Sequence, residues 1–155
     1  MPNIFKPSSG ATADFGWTSF TPSGSWTTNV TYSGQYRRVG DTMECWVKIV
    51  LSGAPDNTSL TLTLPNSLTI DTAKIALTTA SVSSWLGNGT AWDNGTNQYY
   101  LNVAYNSTTS VVVQAMAKSG TYVGDFTSLS QTVPHVWAST DQVNVKFILP
   151  ISGWS

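Results

Sequence analysis

Gly34-Gln35-Tyr36-Arg37-Arg38-Val39, then Gly40-Asp41, then Thr42-Met43-Glu44-Cys45-Trp46-Val47-Lys48-Ile49-Val50-Leu51 is the stretch on which the fold turns. A two-residue Gly-Asp loop between two such runs is a strong signal for a β-hairpin. In the second run Met43, Cys45, Val47, Ile49 and Leu51 alternate with Thr42, Glu44, Trp46, Lys48 and Val50. That period of two assigns the first set to the core and the second to the outer face. The short loop also sets the register, placing Arg37 opposite Glu44 and beside Trp46. A cross-strand pair of this kind contributes roughly 0.2–1 kcal/mol and helps to fix the pairing.

Similar runs follow on the C-terminal side. Leu60, Leu62 and Leu64 alternate with Thr61 and Thr63; Tyr99, Leu101, Val103 and Tyr105 form another run, and Val111, Val113 and Ala115 a third. Lys74–Ser81 reads as a weaker strand, Trp85–Gln98 as a polar loop around Gly87-Asn88-Gly89 and Asp93-Asn94-Gly95, and 119–131 as irregular. Residues 66–73 have room for one short turn, and no useful helical period appears. The last strand, Val143–Leu149, runs into Pro150-Ile151-Ser152-Gly153-Trp154-Ser155. Chain ends fray unless neighbours hold them, so Ile151 and Trp154 are expected to pack, with the terminus buried in an assembly. Residues 1–16 carry Pro2, Pro7, Gly10 and Gly16 and read as an extended arm, with Ile4, Phe5 and Phe15 as anchors on another chain. Residues 17–155 then form one all-β domain. About eight strands at this spacing predict an antiparallel two-sheet sandwich, most simply a jelly roll.

Composition narrows the function. The chain has 155 residues, 41% of them apolar but only 10% charged, against about 25% charged in an ordinary globular domain. Ser, Thr, Asn and Gly fill the difference, as on extracellular and virion surfaces. With a net charge of −1 and no basic run, nucleic acid is not an expected partner. No stretch approaches the ~18 apolar residues of a membrane span, and Met1–Pro7 shows no apolar leader, so no membrane or secretion step is expected. The Asn-X-Ser/Thr triplets at Asn29, Asn57, Asn88, Asn94 and Asn106 follow from that composition.

Catalytic machinery is hard to find. One histidine, His135, and one cysteine, Cys45, leave no disulfide and fail on count for a His/Cys metal site. No Gly-X-Ser-X-Gly elbow accompanies His135 and Asp141, and no phosphate-cradling glycine loop is present. An Asp93–Asp125 glycosidase pair has only residue type to recommend it. The expectation is a non-enzyme without cofactor. What stands out is seven tryptophans, since surface Trp marks interfaces or sugar platforms.

Three segments resemble phage virion proteins: Tyr36-Arg37-Arg38-Val39-Gly40-Asp41-Thr42-Met43-Glu44, Leu64-Pro65-Asn66-Ser67-Leu68-Thr69-Ile70-Asp71, and the Phe147–Ser155 close. Such domains occur in small head-decoration (cement) proteins and in tail-fibre tips, and their fold is similar to the trimeric jelly rolls of the tumour-necrosis-factor and C1q type. The resemblance spans roughly Trp17 to Ser155. It implies a homotrimer, for which Tyr36, Trp46, Phe147, Ile151 and Trp154 are the interface candidates. As a decoration protein the chain would bind the major capsid protein on the outer surface of the head through Ile4, Phe5, Phe15 and Trp17. As a fibre tip it would bind host glycan or protein, with Trp85, Trp92, Tyr99 and Trp137 as stacking candidates. A fibre needs a stalk-like segment and a cement protein only an arm, so the head is expected if these residues are the whole gene product, and the fibre reading recovers if they are a piece of a longer one.

Overall fold

The computed structural model describes residues 16–154, apart from 77, 80, 81, 84, 120 and 121. The arm residues Ile4, Phe5 and Phe15 lie outside the described residues. Twelve strands follow one another: β1 (Thr18–Phe20), β2 (Ser23–Gly24), β3 (Val30–Val39), β4 (Thr42–Ser52), β5 (Thr61–Thr63) and β6 (Thr78–Thr79). The second half adds β7 (Val82–Ser83), β8 (Trp85–Asp93), β9 (Asn97–Ser107), β10 (Ser110–Ser119), β11 (Tyr122–Ser128) and β12 (Ser139–Pro150). Among the described residues the only helical pieces are two 3₁₀ turns, Pro65–Ser67 and Thr72–Lys74.

The β3–β4 hairpin forms as its sequence dictates. Gly40 takes φ +64°, the left-handed conformation that a tight hairpin loop needs and that glycine adopts without strain. Arg37 pairs with Glu44, and Tyr36 with Cys45. The order of the main sheet is β1-β3-β4-β12-β8-β9-β10-β5-β2, antiparallel throughout, with β11 on the far half of β10. β1 and β2 stand at opposite edges of that path, yet only Thr21 and Pro22 separate them in the chain. A sheet of this order has to curl until its two edges meet. The architecture is therefore all-β and antiparallel, one curled ten-stranded sheet folded over its own core with a separate two-stranded β6–β7 ribbon.

That core takes one face of every long strand. Met43, Cys45, Val47, Ile49 and Leu51 are all buried, as are Leu60, Leu62, Leu64, Val143, Val145, Phe147 and Leu149. Full burial of such a side chain contributes about 1.5–3 kcal/mol. Trp26 and Trp137 meet edge to face at 5.5 Å in the middle, and their indole N–H groups donate to the carbonyls of Thr58 (2.9 Å) and Ser130 (2.8 Å). A buried indole is tolerated only with such a partner.

Three expectations change. Trp85–Gln98 is no loop: β8 and β9 form a long hairpin turning at Asp93–Asn97. Its inward positions are Gly87, Gly89 and Ala91, paired with Phe147, Val145 and Val143. A Cβ on Gly87 or Gly89 would run into the β12 main chain, so these positions cannot carry the apolar side chains that betray a strand. Within 119–131, β11 is an ordinary strand on β10. Finally, the C-terminus is gripped by its own protomer: Ile151 N donates to Asp41 O (2.9 Å), Ser152 N to Thr69 O (2.8 Å), and Asp71 N to Pro150 O (2.9 Å).

Candidate functional site

Residues that face outward fall into transverse rows because paired residues share a face. One row runs Gln35, Trp46, Lys146 and Asn88 across β3, β4, β12 and β8; the next runs Ser33, Lys48, Asn144 and Thr90. Trp46 is 51% exposed, as is Ile148 on the neighbouring β12 row. Trp17 packs against Trp46 with ring centres 5.3 Å apart, and the Arg37 guanidinium lies 4.7 Å over the Trp17 ring.

At the centre of this face is Glu44, whose side chain is 9% exposed. Its carboxylate accepts from Arg37 Nε at 2.7 Å and forms an ion pair with Lys146. Lys146, with Arg37, holds the Glu44 carboxyl below the usual carboxylate range against the opposing effect of burial. Lys146 also sits 5.4 Å over the Trp46 ring. Beside this cluster a groove of about 620 Å³ runs between Phe20, Trp46, Lys48, Asn88 and Asn144.

A second polar cluster lies at the other end of β12. Asp141 is buried, and its Oδ1 accepts from Asn94 N (3.0 Å) while Oδ2 accepts from Ala138 N (2.7 Å) and faces His135 Nε2 (3.2 Å). Burial works to raise the Asp141 pKa, but the two amide donors and His135 outweigh it and hold the carboxyl below its ordinary value. The His135 ring is wedged between Tyr99, stacked at 5.2 Å, and Trp137 at 4.2 Å, and its Nδ1 is buried with no hydrogen-bond partner among the described residues. Donor atoms of Asp93, His135 and Asp141 come within 4.8 Å of one another, close enough for a cation. Both Asp141 oxygens are already occupied by fold-defining donors, however, so the arrangement acts as a clamp on the Asn94 turn and the 135–138 loop.

Cys45 offers no nucleophile: burial pushes its thiol up to about 12. The side chain of Asp125 is outside the described residues, so the Asp93–Asp125 pair has no geometry to set beside the Asp93–His135–Asp141 cluster.

The residues singled out from sequence scatter. Trp17, Tyr36, Trp46 and Trp154 reach the surface at least in part; Arg38 lies 4.9 Å over the Trp154 ring. Phe147 and Ile151, expected between protomers, are core residues of a single chain, 2% and 0% exposed. Of the stacking candidates, Trp85 (69%) and Trp92 (40%) are exposed, whereas Trp137 is buried and Tyr99 is half-buried against His135. Tyr99 pairs with inward-facing Ala91, so its neighbour Tyr100 takes the outer face, 51% exposed. The Tyr99–Leu101–Val103–Tyr105 alternation already carries that parity.

No protein-family model, no curated protein and no solved structure matches the chain.

Proposed function

We propose that this chain is a structural virion protein of a phage, a trimeric decoration protein that works by adhesion on the outer surface of the head. The observation that carries the reading is the Trp17–Trp46–Ile148 patch on the outer face of β3, β4 and β12. It combines exposed aromatic and aliphatic groups with Arg37, Glu44 and Lys146, whose charges are paired among themselves. Interface centres favour this chemistry, with Trp and Arg enriched and unpaired charge scarce. We take this patch as the surface through which three copies meet; Tyr36 pairs with buried Cys45, and Arg38, which covers Trp154, pairs with buried Met43, so those two aromatics pack on the core side of the sheet instead. We further read the curled sheet as a variant of the jelly roll, in keeping with the resemblance of its hairpin and C-terminal segments to phage virion domains. The arm, through Ile4 and Phe5, would then clasp the major capsid protein, and a trimer multiplies weak arm contacts by effective concentration, on the order of 10²–10⁴.

Light scattering on the purified protein at micromolar concentration tests the first step. Three chains per particle, reduced to one by Trp46→Glu, is the expected result; a monodisperse monomer sinks the trimer. Deleting residues 1–16 should leave the trimer intact and abolish binding to purified shells, and retained shell binding contradicts the role of the arm.

A further inference from the structure

We propose that the turn end of the β8–β9 hairpin is a binding site for a neutral saccharide, with Trp92 as its stacking platform. Trp92 is 40% exposed beside a depression of about 510 Å³, within the roughly 300–1,000 Å³ of small-molecule sites. Its walls come from Thr90, Asn97, Gln98 and Asn144 and from the turn Asn94-Gly95-Thr96. No lining residue is charged.

The donor set selects the ligand class. Among the described residues, the side chains of Thr90, Asn97, Gln98 and Asn144 and the indole N–H of Trp92 make no hydrogen bond within the chain. Amides and hydroxyls around one aromatic face can both donate and accept, as ring hydroxyls require, while the indole covers the C–H face of a pyranose. The walls themselves hold no cation for an acidic ligand, Lys48 lying one strand away opposite Asn144, and a wholly apolar ligand would strip water from the amides without replacing it.

The site is also held in shape before any ligand arrives. Asp141, 1% exposed, reaches from the core to fix Asn94 N, and Asn94 Nδ2 donates to Thr140 Oγ1 at 2.7 Å. Thr140 itself sits at φ +76°, a left-handed conformation that a β-branched residue adopts only when its surroundings impose it. The pairing of β12 with β4 shifts register between Ser139 and Gln142, a bulge that re-aims this strand end. A turn fixed in this way loses little freedom on binding. The Trp46 groove differs, since Lys48 and Lys146 line it. Asn144 lines both hollows, so the saccharide site adjoins the proposed trimer patch on one face, while Trp92 and Gln98 line this one alone.

The test titrates the full chain with neutral hexasaccharides (maltohexaose, cellohexaose, laminarihexaose and mannohexaose) and with oligogalacturonate as the acidic arm. Binding is followed by calorimetry and by the indole N–H resonances. Saturable binding of at least one neutral oligomer is expected, weakened about tenfold or more by Trp92→Ala and severalfold by Gln98→Ala, and unchanged by Trp46→Ala. The mass of the particle in solution should be the same for Trp92→Ala as for the unaltered chain, so failure of this site and failure of the trimer read out separately. Absence of saturable binding by every neutral oligomer, full affinity in both Trp92→Ala and Gln98→Ala, or tighter binding of the acidic oligomer overturns the proposal.

Discussion

Glu44 and Asp141 are both nearly buried carboxylates, and they are held in opposite ways. Glu44, on the outer face, is gripped by the side chains of Arg37 and Lys146, which are 34% and 46% exposed. Asp141, at the core edge, is gripped by main-chain amides of Asn94 and Ala138 and by a histidine only 8% exposed. A cation on a long stem gives up rotamer freedom to make its bond and stays screened by water, so the net gain is small. An amide already fixed by the fold gives up nothing, and losing its acceptor leaves it stranded. One cluster therefore shapes a surface; the other holds two loops on the core.

The contrast breaks most readily at Asp141. Asp141→Ala should destabilise the fold by about 3 kcal/mol, because it orphans two N–H groups together with His135 Nε2. Thermal unfolding should register this as a fall of about 10 °C in a chain of this length. A shift under 2 °C would mean that the clamp is ornamental.

Acid provides the second probe. Both carboxyls lie below their ordinary pKa in the folded chain. Such groups add stability above the unfolded value of about 4 and lose it as the pH falls through the folded value. Denaturant midpoints should thus change little from these two groups near neutrality and drop below about pH 4. Asp141→Asn should flatten that drop more than Glu44→Gln does, and equal flattening would erase the distinction drawn here.

Glu44→Gln should lower stability by no more than ~1 kcal/mol, the range of exposed ion pairs, while leaving Arg37 and Lys146 unneutralised on the proposed interface. Its larger effect should fall on the mass of the particle. The smallest effect on the monomer fold is expected from Trp46→Ala, about 0.5 kcal/mol, since half of that side chain is already in water. A loss above 2 kcal/mol on chemical unfolding would show Trp46 to be a structural residue instead of a docking one.

Much of the fold could be read directly from residues. The Gly40-Asp41 loop, the burial of Met43 to Leu51 on alternate positions and the Arg37–Glu44 pairing follow from local chemistry, because a two-residue turn leaves one register. The β8 strand could not be read in this way. Its inner positions are Gly87, Gly89 and Ala91, filled out by Phe147, Val145 and Val143 of a strand more than fifty residues away. The Asp141 clamp was hidden for the same reason, since its partner Asn94 is 47 residues distant.

Period-two alternation and turn chemistry act over a few residues, so the sequence alone settled the all-β class, the first hairpin and the core face of most of the long strands. Which strands become neighbours depends on contacts across the whole chain. Only the tertiary structure decided that β12 inserts between β4 and β8, that Phe147 and Ile151 belong to the core of the chain, and that Trp92 stands open beside Asn97, Gln98 and Asn144. Burial is a property of the closed sheet, and no single strand carries it.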